Sequence, residues 1–119
     1  MATSYRMIID AGAHYFISVT WEDPDGVSID MSNYSARMML RVKYSDSAPL
    51  ISLTSETGGG IEIDGPAGVL YITMTDEQTA LLCGTKEVEG VYDLEVENVD
   101  GVVTRLLAGR WIAKPEATK

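Results

Sequence analysis

An antiparallel β-sandwich is the fold class that this 119-residue sequence predicts, and three observations predict it. Apolar and polar residues alternate with a period of two along most of the chain. Turn chemistry built on Pro, Gly, Asn and Asp separates the alternating runs at short intervals. Only one segment carries a helical signature, and it is about two turns long. Strands with one apolar face each bury those faces by stacking one sheet on another.

The first clear strand is "HYFISVTWED", where Tyr15, Ile17, Val19 and Trp21 form one apolar face and Phe16 interrupts an otherwise polar one. "PDG" at Pro24 to Gly26 ends it, because Pro presets φ and Gly tolerates positive φ. "YSARMMLRVKY" is the most regular run. Tyr34, Ala36, Met38, Leu40, Val42 and Tyr44 point inward; Ser35, Arg37, Met39, Arg41 and Lys43 point outward. "LISLTS" follows Pro49 as a short strand and stops at the glycines of "ETGGG". "IEI" at 61–63 is a brief strand, and "VLYITMT" places Leu70, Ile72 and Met74 on one face and Tyr71 on the other.

Thr75 and Gln78 have capping-box spacing, Asp76 and Glu77 suit a helix N-terminus, and Gly84 is a plausible stop. The last unit is a hairpin. Tyr92, Leu94 and Val96 alternate with Asp93, Glu95 and Glu97, Asp100-Gly101 reverses the chain, and a return strand runs from about 102 to 113. Its alternation slips at Leu106-Leu107, which predicts a bulge or a strand buried on both faces. "KPEATK" is a polar tail. About seven short strands, one short helix and no linker or repeat describe a single domain over 1–119.

A chain of this length removes roughly 65% of its unfolded surface from water, enough for a core without covalent staples. Cys83 is the only cysteine, so no intrachain disulfide forms and no cysteine-based metal site can be assembled. The N-terminal residues lack the basic and apolar regions of a secretory signal, and no apolar run approaches a membrane span, so no membrane partner is expected. The formal net charge is −9, and the densest basic stretch, Arg37 to Lys43, holds three cations. That balance disfavours nucleic acid and suits a basic protein partner.

Candidate chemistry is sparse. His14 is the only histidine, so any histidine-based triad rests on it alone. Asp93, Glu95 and Glu97 on a wet strand face stay ionised, whereas a glycosidase pair needs one carboxyl in a dry pocket. "DPDG" lacks the continuation of a calcium loop, and the glycine run lacks the Gly-Lys-Ser/Thr of a phosphate loop. The expectation is a non-enzyme with no cofactor, no metal and no catalytic residue. Phe16, Met39 and Tyr71 are the apolar residues left on polar faces, and they are candidates for contact with another chain. The basic face of Arg37, Arg41 and Lys43 and the acidic face of Asp93, Glu95 and Glu97 are two further candidate contact surfaces, of opposite charge.

The order of elements carries a resemblance. "FISVTWEDPDGVSIDMSNYSARMMLRVK" holds Trp21, Asp23, Gly26, Ile29, Asp30, Met31, Ser32, Tyr34, Ala36, Arg37 and Met38 in a succession similar to small tail and baseplate-associated proteins of tailed bacteriophages. It continues through "LISLTSETGGGIEI", "GVLYITMTDEQTALL" and "YDLEVENVDGVVTRLLAGRW". The chain most resembles the N-terminal domain of phage baseplate upper proteins. That resemblance implies an immunoglobulin-like sandwich that docks on other virion proteins of the tail, baseplate, neck or fibre, in a symmetric multi-copy assembly. "CGTKEVEG" is longer than that pattern's approach to the last hairpin, and no fibre stem follows, which implies a stand-alone adaptor or decoration subunit. It would be made in the host bacterial cytoplasm and located in the virion. The alternative expectation is a carbohydrate-binding or adhesin-type module, which requires a row of exposed aromatics and not buried Trp21 and Trp111.

Overall fold

The computed structural model describes residues 3–118. Its elements are β1 (Thr3–Ser4), β2 (Met7–Asp10), β3 (Tyr15–Thr20), β4 (Ser35–Arg41), β5 (Ile51–Thr54), β6 (Ile61–Asp64), β7 (Val69–Met74), α1 (Asp76–Ala80), β8 (Val88–Glu97) and β9 (Val103–Lys114). They build two sheets. The larger runs β1-β9-β8-β4-β5, with β2 also on β9; the smaller runs β3-β7-β6. Every ladder is antiparallel except those of β1 and β2, which lie parallel to β9.

That order identifies the architecture. Lettered along the chain, β3, β7 and β6 become B, E and D, and β9, β8, β4 and β5 become G, F, C and C′. This is the Greek-key arrangement of an immunoglobulin-like sandwich, with C′ added at the edge of the G-F-C sheet. The N-terminal strands stay wholly on β9, so the edge of β3 facing away from β7 has no strand neighbour among the described residues.

The core lies between the sheets. Met38 and Leu40 of β4, Leu53 of β5, Leu94 and Val96 of β8 and Trp111 of β9 meet Ile61, Leu70, Ile72 and Met74 of the smaller sheet, all essentially buried. Where an immunoglobulin domain would carry its inter-sheet disulfide, this chain has aliphatic packing, and Cys83 is a free thiol. Trp111 closes one end. Its Nε1–H lies between two acceptors, the carbonyls of Arg41 at 3.1 Å and Val91 at 3.2 Å. Its ring packs against Gly90, where a Cβ would collide with the indole and with the Arg41 carbonyl.

Local chemistry explains the connections. Asp23-Pro24-Asp25-Gly26-Val27 and Asn98-Val99-Asp100-Gly101-Val102 form the same turn. In each, the first side chain accepts from two backbone N–H groups, and the glycine sits at φ +81° or +83°. The second hairpin therefore closes with three residues between Asn98 and Val102, where the Asp-Gly pair alone suggested two. The capping box of α1 forms as the sequence predicts: the Gln78 N–H donates to Thr75 Oγ1, and the Thr75 N–H donates to Gln78 Oε1. Thr79, buried in that helix, accepts from the Gly12 N–H at 3.0 Å and donates to the Ala13 carbonyl at 2.8 Å. The register shift in the β8–β9 ladder skips Leu106, which locates the expected bulge at the Leu106-Leu107 slip.

Beside the strands expected from the sequence, the described residues hold two short ones, β1 and β2, which pair with β9, distant in sequence. Three expectations need correction. The β4 strand ends at Arg41, so Val42 and Tyr44 fall in the following loop, and Tyr44 is exposed rather than inward. Lys43 shares that loop and so leaves the strand face. The helix caps at Leu81 rather than at Gly84.

Candidate functional site

The outer face of the larger sheet carries most of the charged candidates. In the β4–β8 ladder Arg37 lies opposite Glu95 and Met39 opposite Asp93. The Arg37 guanidinium donates to Glu95 at 3.0 Å and to Glu97 at 3.1 Å. Arg105, reaching over from β9, approaches Asp93 at 3.5 Å and Glu95 at 3.7 Å. Arg41 donates to the Asp46 carbonyl at 3.0 Å and packs along Met39.

The basic and acidic candidates are thus not two surfaces of opposite sign. They are one face on which three guanidinium groups stand among three carboxylates, because β4 and β8 are adjacent antiparallel strands and their outward residues interleave. Bonds to Glu97 and Glu95 raise the pKa of Arg37 further. Burial, and then Glu95 beside it, push the Asp93 carboxyl above the usual range, and Arg105, Arg41 and Arg37 only partly offset this.

The smaller sheet differs. Phe16 on β3 is 61% exposed and Tyr71 on β7 is 37% exposed. Phe16 pairs with Thr73 and Ser18 pairs with Tyr71, so the two rings meet on the diagonal, centroids 6.3 Å apart and planes 14° from parallel. Leu81, 68% exposed just past α1, adds an aliphatic group to the same groove. The groove is open, about 1320 Å³, and its charged lining consists of Glu56, Glu62 and Glu77 with no Lys or Arg.

Of the apolar contact candidates, Phe16 and Tyr71 come together and Met39 lies apart, on the opposite sheet. Leu81 and the three glutamates escaped the sequence reading. Glu62 could have been found from the alternation of "IEI". Glu56 and Glu77 come from a loop and a helix whose placement over the sheet no local pattern encodes.

The remaining candidates disperse. His14 is exposed, and no group of three or more His, Cys, Asp or Glu side chains among the described residues is placed to hold a metal ion. Burial and Glu87 raise the pKa of the Cys83 thiol, which holds it in the protonated form. Burial pushes the Tyr92 hydroxyl up to about 12, and it donates to the Tyr5 carbonyl at 2.6 Å. Trp111 is fully buried, and Trp21 packs edge-on against Tyr34 at the margin of the core, so neither joins an exposed aromatic row. Among the described residues no helix is long and apolar enough to cross a membrane.

No family profile matches the sequence, and no curated protein matches it. Among solved structures, the first Ig-like domain of the human CD48 antigen is similar to this chain at 13% sequence identity, with 99% of this chain and 88% of that one covered and a TM-score of 0.44.

Proposed function

We propose that this chain is a non-catalytic binding module, an adaptor or decoration subunit of a tailed-phage particle that attaches to other virion proteins in several symmetric copies. The observation that carries the binding-module reading is the exposed Phe16–Tyr71–Leu81 patch. Large apolar side chains at such exposure, grouped on one sheet face, mark a surface that gains from being covered. The assignment to a phage particle draws its support from the succession of motifs between Phe16 and Trp111.

Mass spectrometry of particles purified from a strain that produces the phage tests the reading. The chain should co-sediment with tail or neck proteins in a fixed stoichiometry. Its absence from intact particles, with the gene expressed, would sink the proposal. A carbohydrate-binding module is the second reading, favoured by the same Phe16–Tyr71 pair, because parallel exposed rings can stack on a pyranose. A glycan array reads it directly.

A further inference from the structure

We infer that the groove over β3, β7 and β6 is the docking site for an extended, basic segment of another protein, whose Lys or Arg side chains lie over Phe16 and Tyr71. The inference rests on the binding-module reading but not on the phage particle. The apolar floor carries it. Phe16 is well exposed although it lies mid-strand, and it sits on β3, one of the two edge strands of the smaller sheet.

Charge selects the occupant. Glu56, Glu62 and Glu77 are exposed around the two rings, and the groove carries no cation of its own. On the opposite sheet Asp93, Glu95 and Glu97 stand among Arg37, Arg41 and Arg105, so that face is close to charge-balanced where the groove is negative. A Lys or Arg side chain satisfies both features at once. Its aliphatic stem covers apolar surface, and its cation faces a ring and a carboxylate. A second copy of this chain arrives with a net charge of −9, and a phosphate backbone is negative throughout, so both are repelled.

The shape suits a segment of chain rather than a small molecule. At about 1320 Å³ and open to solvent, the groove exceeds the ~300–1,000 Å³ of pockets that enclose small ligands. An extended segment presents alternate side chains to one surface, which suits an open groove that crosses three strands.

The test is selection from an mRNA-displayed library of random peptides on the intact chain, followed by affinity measurement with Phe16→Ser, Tyr71→Ser and Glu62→Lys variants. Those side chains are exposed, so circular dichroism and thermal melts should match the parent. Selected peptides should be enriched in Lys and Arg, and each substitution should weaken binding by about tenfold or more, as expected for a contact at an interface centre. Salt at about 1 M, where the Debye length is about 3 Å, should weaken it further.

The inference is overturned if selected peptides are neutral or acidic, if none is recovered, or if binding ignores all three substitutions. Glycan-array binding that requires Phe16, with no peptide binding, overturns it in favour of the carbohydrate reading. Recovery of the chain in purified particles alongside any of these failures removes the groove assignment alone and leaves the virion reading standing.

Discussion

Replacing Thr79 with valine removes one oxygen from the interior and leaves the side-chain volume almost unchanged. Thr79 is fully buried, and its hydroxyl joins α1 to the turn between β2 and β3, some sixty residues earlier. Two long-range hydrogen bonds are lost, each contributing about 1 kcal/mol net. The Ala13 carbonyl belongs to an exposed residue and can turn to water. The half-buried Gly12 N–H has less recourse, which adds up to about 1 kcal/mol for an orphaned donor. Thr79→Val should therefore cost about 2–3 kcal/mol, or about 8–12 °C in Tm for a chain of this length. Thr79→Ser keeps the oxygen and loses a methyl, so it should cost only about 1 kcal/mol. Urea denaturation at equilibrium distinguishes them, with the midpoint falling and the slope unchanged. If the valine variant matches the parent, or is more stable than the serine variant, the hydroxyl is not what fastens the helix and the reasoning fails.

Gly90→Ala should destabilise by about 3 kcal/mol, the upper part of the range for overpacking, because both obstacles are rigid, the Trp111 ring and the Arg41 carbonyl; near-UV circular dichroism should report the displaced indole. Arg37→Met should cost less than about 1 kcal/mol, since the ion pairs with Glu95 and Glu97 are partly solvated, and a double-mutant cycle with Glu97→Gln should show a coupling that shrinks as salt rises. Asp93 has a folded-state pKa above its unfolded value, so the native state binds more protons through that window and this residue's contribution weakens as pH rises. Asp93→Asn should accordingly gain stability relative to the parent at neutral pH, with the gain vanishing once pH falls below the unfolded carboxylate pKa of about 3.9; a gain that grows at low pH would show the sign to be wrong.

Legibility followed the range of the interactions. Period-two alternation placed Leu70, Ile72 and Met74 and Tyr92, Leu94 and Val96 inward, since each strand reports its own burial. The capping box of α1 and the slip at Leu106-Leu107 were visible for the same reason, each being a signal contained within a few residues. "MIID" was not, because Ile8 is exposed beside buried Met7 and Ile9 and blurs the alternation, and because its partner is a hundred residues away.

The charged surface shows the same limit. Arg37 and Glu95 were each correctly placed on an outward face, yet that they share one depends on β4 and β8 being neighbours. Phe16 and Tyr71 stood out singly as apolar residues in polar positions, and only the β3–β7 register makes them a pair. Strand patterns fix which way a side chain points; sheet order decides what it meets.

The parallel seam of β1 and β2 on β9 has a mechanical consequence. Six residue pairs, from Thr3 beside Leu107 to Asp10 beside Lys114, join the first described strands to the last. Because these strands run in the same direction, tension applied from the N-terminal side of β1 and the C-terminal side of β9 acts along the ladder rather than across it. The bonds are loaded together in shear, instead of opening one after another as in an antiparallel pair pulled from one end. The ladder is interrupted at Tyr5 and Arg6, where the Tyr92 hydroxyl donates to the Tyr5 carbonyl, so the seam consists of two short clamps in one register. A chain held at both ends would transmit a pull straight through this seam and leave the Phe16 face unstrained on the other sheet.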